Sequence, residues 1–183
     1  MRFKELTQLR GPDVTSAFLR IALGFGFLSA VADRLGFWGP PGANLVSWGN
    51  FHNFLVYTGK LNPWCPAACL PLLGAVVTIA EAALGILLIV GFSTRIASFL
   101  TGMLTLGFSA AMTLVQGVHA PLIYSVFAFS AGSFLLASRG PDSLTIDRLF
   151  ERESTRSIEE PLAKRTSVPL PDVNRSLRLI DPL

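Results

Sequence analysis

The sequence predicts an all-α membrane protein: a bundle of four transmembrane helices with an amphipathic extracytoplasmic loop helix and a mostly disordered C-terminal tail. Half of the 183 residues are hydrophobic (51%), only 15% are charged, and the mean hydropathy is +0.52. Soluble domains of this size rarely have such a composition. The apolar residues are also gathered into blocks of about 20 residues, the helix length that crosses a hydrocarbon core roughly 30 Å thick.

The first element is a basic segment followed by an apolar block. Residues 1–13 are predicted to be a cytoplasmic N-terminal segment, and the first helix is predicted at about residues 14–35, interrupted by Arg20. A signal peptide is the alternative, because a basic start and an apolar stretch precede Ala30-Val31-Ala32, which fits an A-x-A cleavage site. We prefer a retained helix, because the apolar run that begins at Val14 is long enough to span the membrane if Arg20 is accepted within it.

The second element is a long loop, residues 36–69, rich in aromatic residues, glycine and proline. Phe51, Phe54 and Leu55 fall on one face of a helix, which predicts a short amphipathic helix at the membrane interface. The loop also contains aromatic residues that fit a belt at the membrane interface: Trp38, Trp48, Tyr57 and Trp64.

Three further apolar blocks predict helices at about residues 70–92, 94–115 and 120–137. The connections between them are very short, so neighbouring helices must run antiparallel in an up-and-down bundle that covers residues 14–138. Residues 139–183 are polar and charged, which predicts a mostly disordered tail with a short surface helix at about residues 144–150.

The distribution of basic residues predicts the orientation. With four spans, the N-terminal segment, the turn at Arg95 and the tail share one side, and all three carry arginines, whereas the opposite side has only Arg34 and Lys60. By the positive-inside rule the first side is the cytoplasm. The net charge of +3 therefore indicates orientation and attraction to the membrane surface, not nucleic-acid binding.

Glu81 is the one ionisable residue deep in a predicted span, where a charge costs several kcal/mol unless it is paired or faces a cavity. Glu81 lies roughly 15 Å and Arg20 roughly 9 Å from the cytoplasmic ends of their helices. Because these helices are predicted to be antiparallel, we expect an Arg20–Glu81 pair in the bundle interior that binds a proton or a ligand. Two alternatives stay open: a purely structural salt bridge, or an Arg20 side chain that reaches the headgroups.

The two cysteines, Cys65 and Cys69, are four residues apart on the predicted oxidising side. This spacing differs from the C-x-x-C of redox centres, so either two inert thiols or one static disulfide is expected. His52 and His119 do not occur in any motif with metal-ligand spacing, and no metal site is predicted.

Residues 81–95, EAALGILLIVGFSTR, resemble the second-to-third-helix segment of the DoxX family. Residues 19–34 are similar to that family's first helix, with an arginine before a glycine-rich run and a charged residue at its end. The resemblance implies a multi-pass protein of the bacterial inner membrane with four helices, and the charge distribution above adds that both termini are cytoplasmic. Arg20, Glu81 and Arg95 fall on motif positions. One branch, DoxD, is the small subunit of a thiosulfate:quinone oxidoreductase, so the cofactor implied is a quinone.

Two functions follow as hypotheses. The preferred one is a scaffold or accessory subunit of an envelope membrane complex, whose partners are the lipid bilayer and other envelope proteins. The alternative is a quinone-linked redox subunit in which Glu81 moves the proton that accompanies quinone reduction.

Overall fold

The structure is a computed structural model, and it describes residues 11–148. These residues form six α-helices and one short 3-10 turn, Ala67–Cys69, with no strand among them. The predicted all-α fold is therefore confirmed for this part of the chain. The N-terminal segment up to residue 10 and the tail from residue 149 onwards lie outside the described residues. The helices are α1 (Gly11–Arg34), α2 (Phe51–Leu61), α3 (Leu70–Val90), α4 (Thr94–Gln116), α5 (His119–Ile123) and α6 (Val126–Arg139).

Three helical segments within residues 11–148 are long and apolar enough to cross a membrane: α1, α4, and α3 together with its 3-10 turn. Their bounds lie close to the predicted ones. Pro71 occupies the first turn of α3, where a missing N–H costs nothing, and Gly91 ends α3 in a left-handed conformation with φ of 73°. The protein is thus a membrane protein with at least three apolar helices of spanning length.

The fourth predicted span, residues 120–137, is not one continuous helix. The chain leaves helical geometry at Tyr124 and Ser125, and Ser125 is left-handed with φ of 54°. The 14 residues of α6 are only roughly 21 Å long, shorter than the hydrocarbon core. Hydropathy measures apolarity and does not register a local break in helical geometry, so the prediction of an unbroken helix was wrong.

α1 and α3 cross with their backbones in close approach at Gly24 and Gly85. A Cβ atom on Gly24 would lie 2.8 Å from the carbonyl oxygen of Gly85, and one on Gly85 would lie 3.0 Å from that of Gly24. Small residues allow this approach between membrane helices, which associate through close packing. The crossing fixes which parts of the two helices face each other.

The apolar core lies where α1, α3, α4 and α6 meet. α4 and α6 are joined there by a hydrogen bond of 3.0 Å from the Ser130 hydroxyl to the Gly102 carbonyl. The buried core side chains are Leu23, Phe27, Leu84, Leu88, Ala97 and Leu136.

Residues 140–148, which we call the strap, pack against the bundle instead of beginning a disordered tail. Asp142 and Thr145 are buried, and the Asp147 carboxylate accepts hydrogen bonds from the backbone N–H groups of Ser93 (2.6 Å) and Thr94 (2.7 Å). Residues 140–143 are therefore ordered in a part of the tail that was predicted to be mostly disordered. Helical geometry within it begins at residue 146 instead of 144, and the rest of the predicted surface helix lies outside the described residues.

Candidate functional site

Arg34 and Glu81 form a buried ion pair between the end of α1 and the middle of α3. Arg34 Nη1 contacts Glu81 Oε2 and also donates a hydrogen bond of 3.1 Å to Thr78 Oγ1. The two charged side chains are only 4% and 3% exposed. Burying one of these charges alone would cost several kcal/mol, so each requires the other.

Aromatic rings from the long loop cover this ion pair. The Arg34 guanidinium lies 3.8 Å from the ring centroid of Phe54 and 5.1 Å from that of Trp48, and the two rings meet edge to face at 5.4 Å. An arginine over an aromatic face is stabilised by the negative charge of the ring centre. Phe54 is therefore both a core residue of α2 and a contact of the buried charge.

The amphipathic helix predicted in the loop is present as α2, capped by the Asn50 side chain on the N–H of Asn53 at 2.8 Å. Its predicted apolar face packs on α3 at Gly74, where an added Cβ atom would meet the side chains of Phe51, Phe54 and Leu55. The apolar face of α2 therefore packs against α3. A helix that lay at the membrane interface would instead turn this face toward lipid.

Asp33 holds the loop in this position. Its carboxylate accepts hydrogen bonds from three consecutive backbone N–H groups, those of Ser47 (3.0 Å), Trp48 (3.0 Å) and Gly49 (3.2 Å). Asp33 and Arg34 are neighbours at the end of α1, so one residue fixes the loop and the next binds Glu81. The site is built by the end of α1, the loop and the middle of α3 together.

Arg20 forms the second buried ion pair, and its partner is Asp142. Arg20 Nε lies 3.5 Å from Asp142 Oδ2, and Nη1 donates hydrogen bonds to the carbonyl oxygens of Leu88 (2.6 Å) and Ile89 (2.8 Å). Nη2 lies 3.4 Å from the Leu144 carbonyl oxygen. The predicted Arg20–Glu81 pair is therefore wrong, although both residues are buried.

The direction of side chains on a helix explains the different pairing. Side chains lean toward the N-terminus of their helix, so Arg20 points toward the strap and away from the middle of the bundle. Its carbonyl partner Leu88 lies two turns beyond Glu81, roughly 10 Å along α3. Arg34 leans back into the bundle, and Glu81 leans toward the end of α3 that Arg34 faces. The lean of side chains toward the N-terminus of their helix could therefore have predicted from the sequence that Arg34 is the partner of Glu81.

One face of α4 carries a row of buried hydroxyl groups that was not predicted from the sequence. The hydroxyls of Thr105 and Ser109 donate hydrogen bonds to carbonyls of their own helix. The hydroxyls of Thr94, Ser98 and Thr101 make no hydrogen bond within residues 11–148. Their spacing of three and four residues inside an apolar block is the signal that could have found them. The row consists of Thr94, Ser98, Thr101, Thr105 and Ser109.

Cys65 and Cys69 are free thiols in the structure, the first half-buried and the second exposed. Among the described residues there is no group of three or more His, Cys, Asp or Glu side chains that could hold a metal ion.

No protein-family model, no curated protein and no solved structure matches this chain. The resemblance to the DoxX family therefore stays a prediction.

Proposed function

We propose that this chain is a scaffold or accessory subunit of an envelope membrane complex. One observation carries the proposal: each buried ionisable side chain in residues 11–148 has a partner within the chain. Such pairs join helices, loop and strap in one arrangement and leave no buried charge open to a substrate. These side chains are Arg20, Asp33, Arg34, Glu81 and Asp142.

The proposal includes four membrane crossings, with α5 and α6 forming one interrupted span over residues 119–139. An interrupted helix is tolerated at membrane depth where its freed backbone groups are bonded within the protein. At the interruption, the N–H of Tyr124 donates to the Ala120 carbonyl at 3.2 Å and that of Ser125 to the Leu122 carbonyl at 3.1 Å. This bonding supports a broken fourth span.

The charge distribution supports a cytoplasmic location for both termini in a bacterial inner membrane. Arg95 and Arg139 are exposed at the end of the bundle that carries the strap. At the opposite end Lys60 is exposed, whereas Arg34 is buried against Glu81. The excess of exposed arginine at the strap end makes it cytoplasmic by the positive-inside rule.

The outer loop supplies the docking surface for the partner that we propose, another envelope protein. Several large apolar side chains of this loop are exposed although Asp33 holds the backbone in place. A fixed surface of this kind binds a partner without first paying to order the loop. Among these exposed side chains are Phe37, Trp38, Leu45 and Trp64.

The quinone-linked function is the alternative, supported by a carboxylic acid at mid-depth in a span and by the likeness to DoxD. An acid that delivers a proton to a quinone needs contact with the ligand. Glu81 is 2% exposed and bound to Arg34, an arrangement that favours the scaffold over this alternative.

Cross-linking in native membranes followed by purification of the tagged full chain in mild detergent tests the proposal. We expect one envelope protein in stoichiometric amount with the wild type and with the control Leu72→Ala, which changes an exposed residue of α3. The double variant Phe37→Ala/Leu45→Ala should lose it. Equal recovery from all three proteins would contradict the loop as the docking surface, and recovery from none would contradict the scaffold. Thiosulfate-dependent quinone reduction that Glu81→Gln abolishes would replace it with the redox function.

A further inference from the structure

We propose that a groove between α4 and α6 at the strap end binds an anionic phospholipid, with its phosphate on Arg95 and an acyl chain along the apolar wall. The proposal depends on membrane insertion with this end near the headgroups. It does not depend on the scaffold role.

The groove has the apolar lining that an acyl chain requires. Its volume is about 450 Å³, and apart from Arg95 at one end its surface is almost entirely apolar. The rings of Phe99 and Phe134 meet edge to face at 5.8 Å and form the wall. Phe134 is seated against Gly102, where an added Cβ atom would lie 2.8 Å from the ring. The lining residues are Arg95, Ile96, Phe99, Phe134, Ala137 and Ser138.

Arg95 is available to an external anion. Its side chain is exposed and makes no ion pair or hydrogen bond with the rest of residues 11–148. The two acidic side chains of the strap are already engaged, Asp142 by Arg20 and Asp147 by the N–H groups of Ser93 and Thr94. The positive charge of Arg95 is therefore left without compensation from the strap.

The combination of one cation and an apolar wall selects among ligands. A guanidinium donates two parallel hydrogen bonds to a phosphate, and basic pockets between membrane helices at the cytoplasmic side bind anionic headgroups. A free phosphate would gain only the exposed Arg95, where salt screens the attraction. A zwitterionic lipid would make the same contacts with the apolar wall, but the cationic group of its headgroup would lie beside Arg95 and be repelled. An anionic phospholipid matches both features.

Native mass spectrometry of the purified full chain in detergent tests the site, with phosphatidylglycerol and phosphatidylcholine of identical acyl chains as probes. We expect phosphatidylglycerol to bind more tightly, and glycerol 3-phosphate, which has the headgroup phosphate without acyl chains, not to displace it. Arg95→Gln should weaken phosphatidylglycerol binding about fivefold, the effect of one basic residue at an anionic surface. Ile96→Trp should weaken it too, because the indole fills the groove while Arg95 remains.

Two matched controls separate this site from general attraction. Lys60→Gln removes an exposed charge at the opposite end, and Arg139→Gln removes one at the same end outside the groove lining. Both should retain wild-type binding within about twofold. Equal losses in Arg95→Gln and Arg139→Gln with no effect of Ile96→Trp would overturn the proposal, as would equal binding of the two lipids. Circular dichroism of each variant checks that the fold is kept.

Discussion

Arg34, the last residue of α1, forms a buried ion pair with Glu81 in the middle of α3. The pair connects the membrane helices to the long loop, because the same guanidinium lies against Phe54 and Trp48. A charge enclosed in this way is stabilising only while its partner is present.

We expect Glu81→Leu to lower the free energy of unfolding by about 3 kcal/mol, because it leaves the Arg34 charge buried and unpaired. The double variant Arg34→Met/Glu81→Leu should lose less than Glu81→Leu alone, since no charge is then buried. Unfolding in mixed detergent and denaturant measures both, with the exposed Lys60→Met as the control. Additive losses in the double variant would show that the pair is not coupled.

Asp142→Asn should loosen the strap. The asparagine keeps an oxygen for the N–H of Leu144, bonded now at 2.9 Å, but removes the charge beside Arg20. We expect a loss of about 3 kcal/mol, because the buried Arg20 charge loses its ion-pair partner, and faster hydrogen exchange over residues 142–148. The control is Ser138→Ala at an exposed position. Unchanged exchange in the strap would mean that Arg20 does not hold it.

Asp33→Ala should release the long loop, because three backbone N–H groups lose their common acceptor. We expect a loss of about 3 kcal/mol and faster proteolysis within residues 36–50. Asn44→Ala is the matched control, since Asn44 is exposed in the same loop. If both variants are cleaved at the wild-type rate, Asp33 does not order the loop.

The close approach of α1 and α3 predicts different effects for three glycines. Gly24→Ala and Gly85→Ala should each destabilise the protein by about 1–3 kcal/mol, because the added methyl group meets backbone of the facing helix. Gly107→Ala in α4 meets nothing within 4 Å and should be neutral or gain up to about 1 kcal/mol from helix propensity. Thermal unfolding in one detergent compares the three. Equal destabilisation by all of them would rule out the crossing.

The free thiols of Cys65 and Cys69 predict two maleimide adducts when the chain is denatured without reductant. In the folded protein Cys69 should react first, because it is exposed whereas Cys65 is half-buried. Mass spectrometry counts the adducts. A chain that accepts none before reduction and two afterwards would carry the disulfide instead.

Local patterns accounted for the helices. Hydropathy located α1, α3 and α4 close to their observed bounds, and the spacing of Phe51, Phe54 and Leu55 located α2. These features depend on residues near one another in the chain. The interruption of the fourth predicted helix at Ser125 could not be predicted from hydropathy, because a left-handed residue leaves the apolar run unchanged.

The sequence by itself predicted that the chain is helical and apolar, that Glu81 lies deep in a span, and that the long loop contains a short helix. Only the tertiary structure decided which charges pair: Arg34 with Glu81, Arg20 with Asp142, and Asp33 with the loop backbone. The physical reason is that helix periodicity repeats within a single segment. A buried charge, in contrast, takes its partner from another segment, and the choice depends on the crossing at Gly24 and Gly85 and on the direction in which each side chain leans.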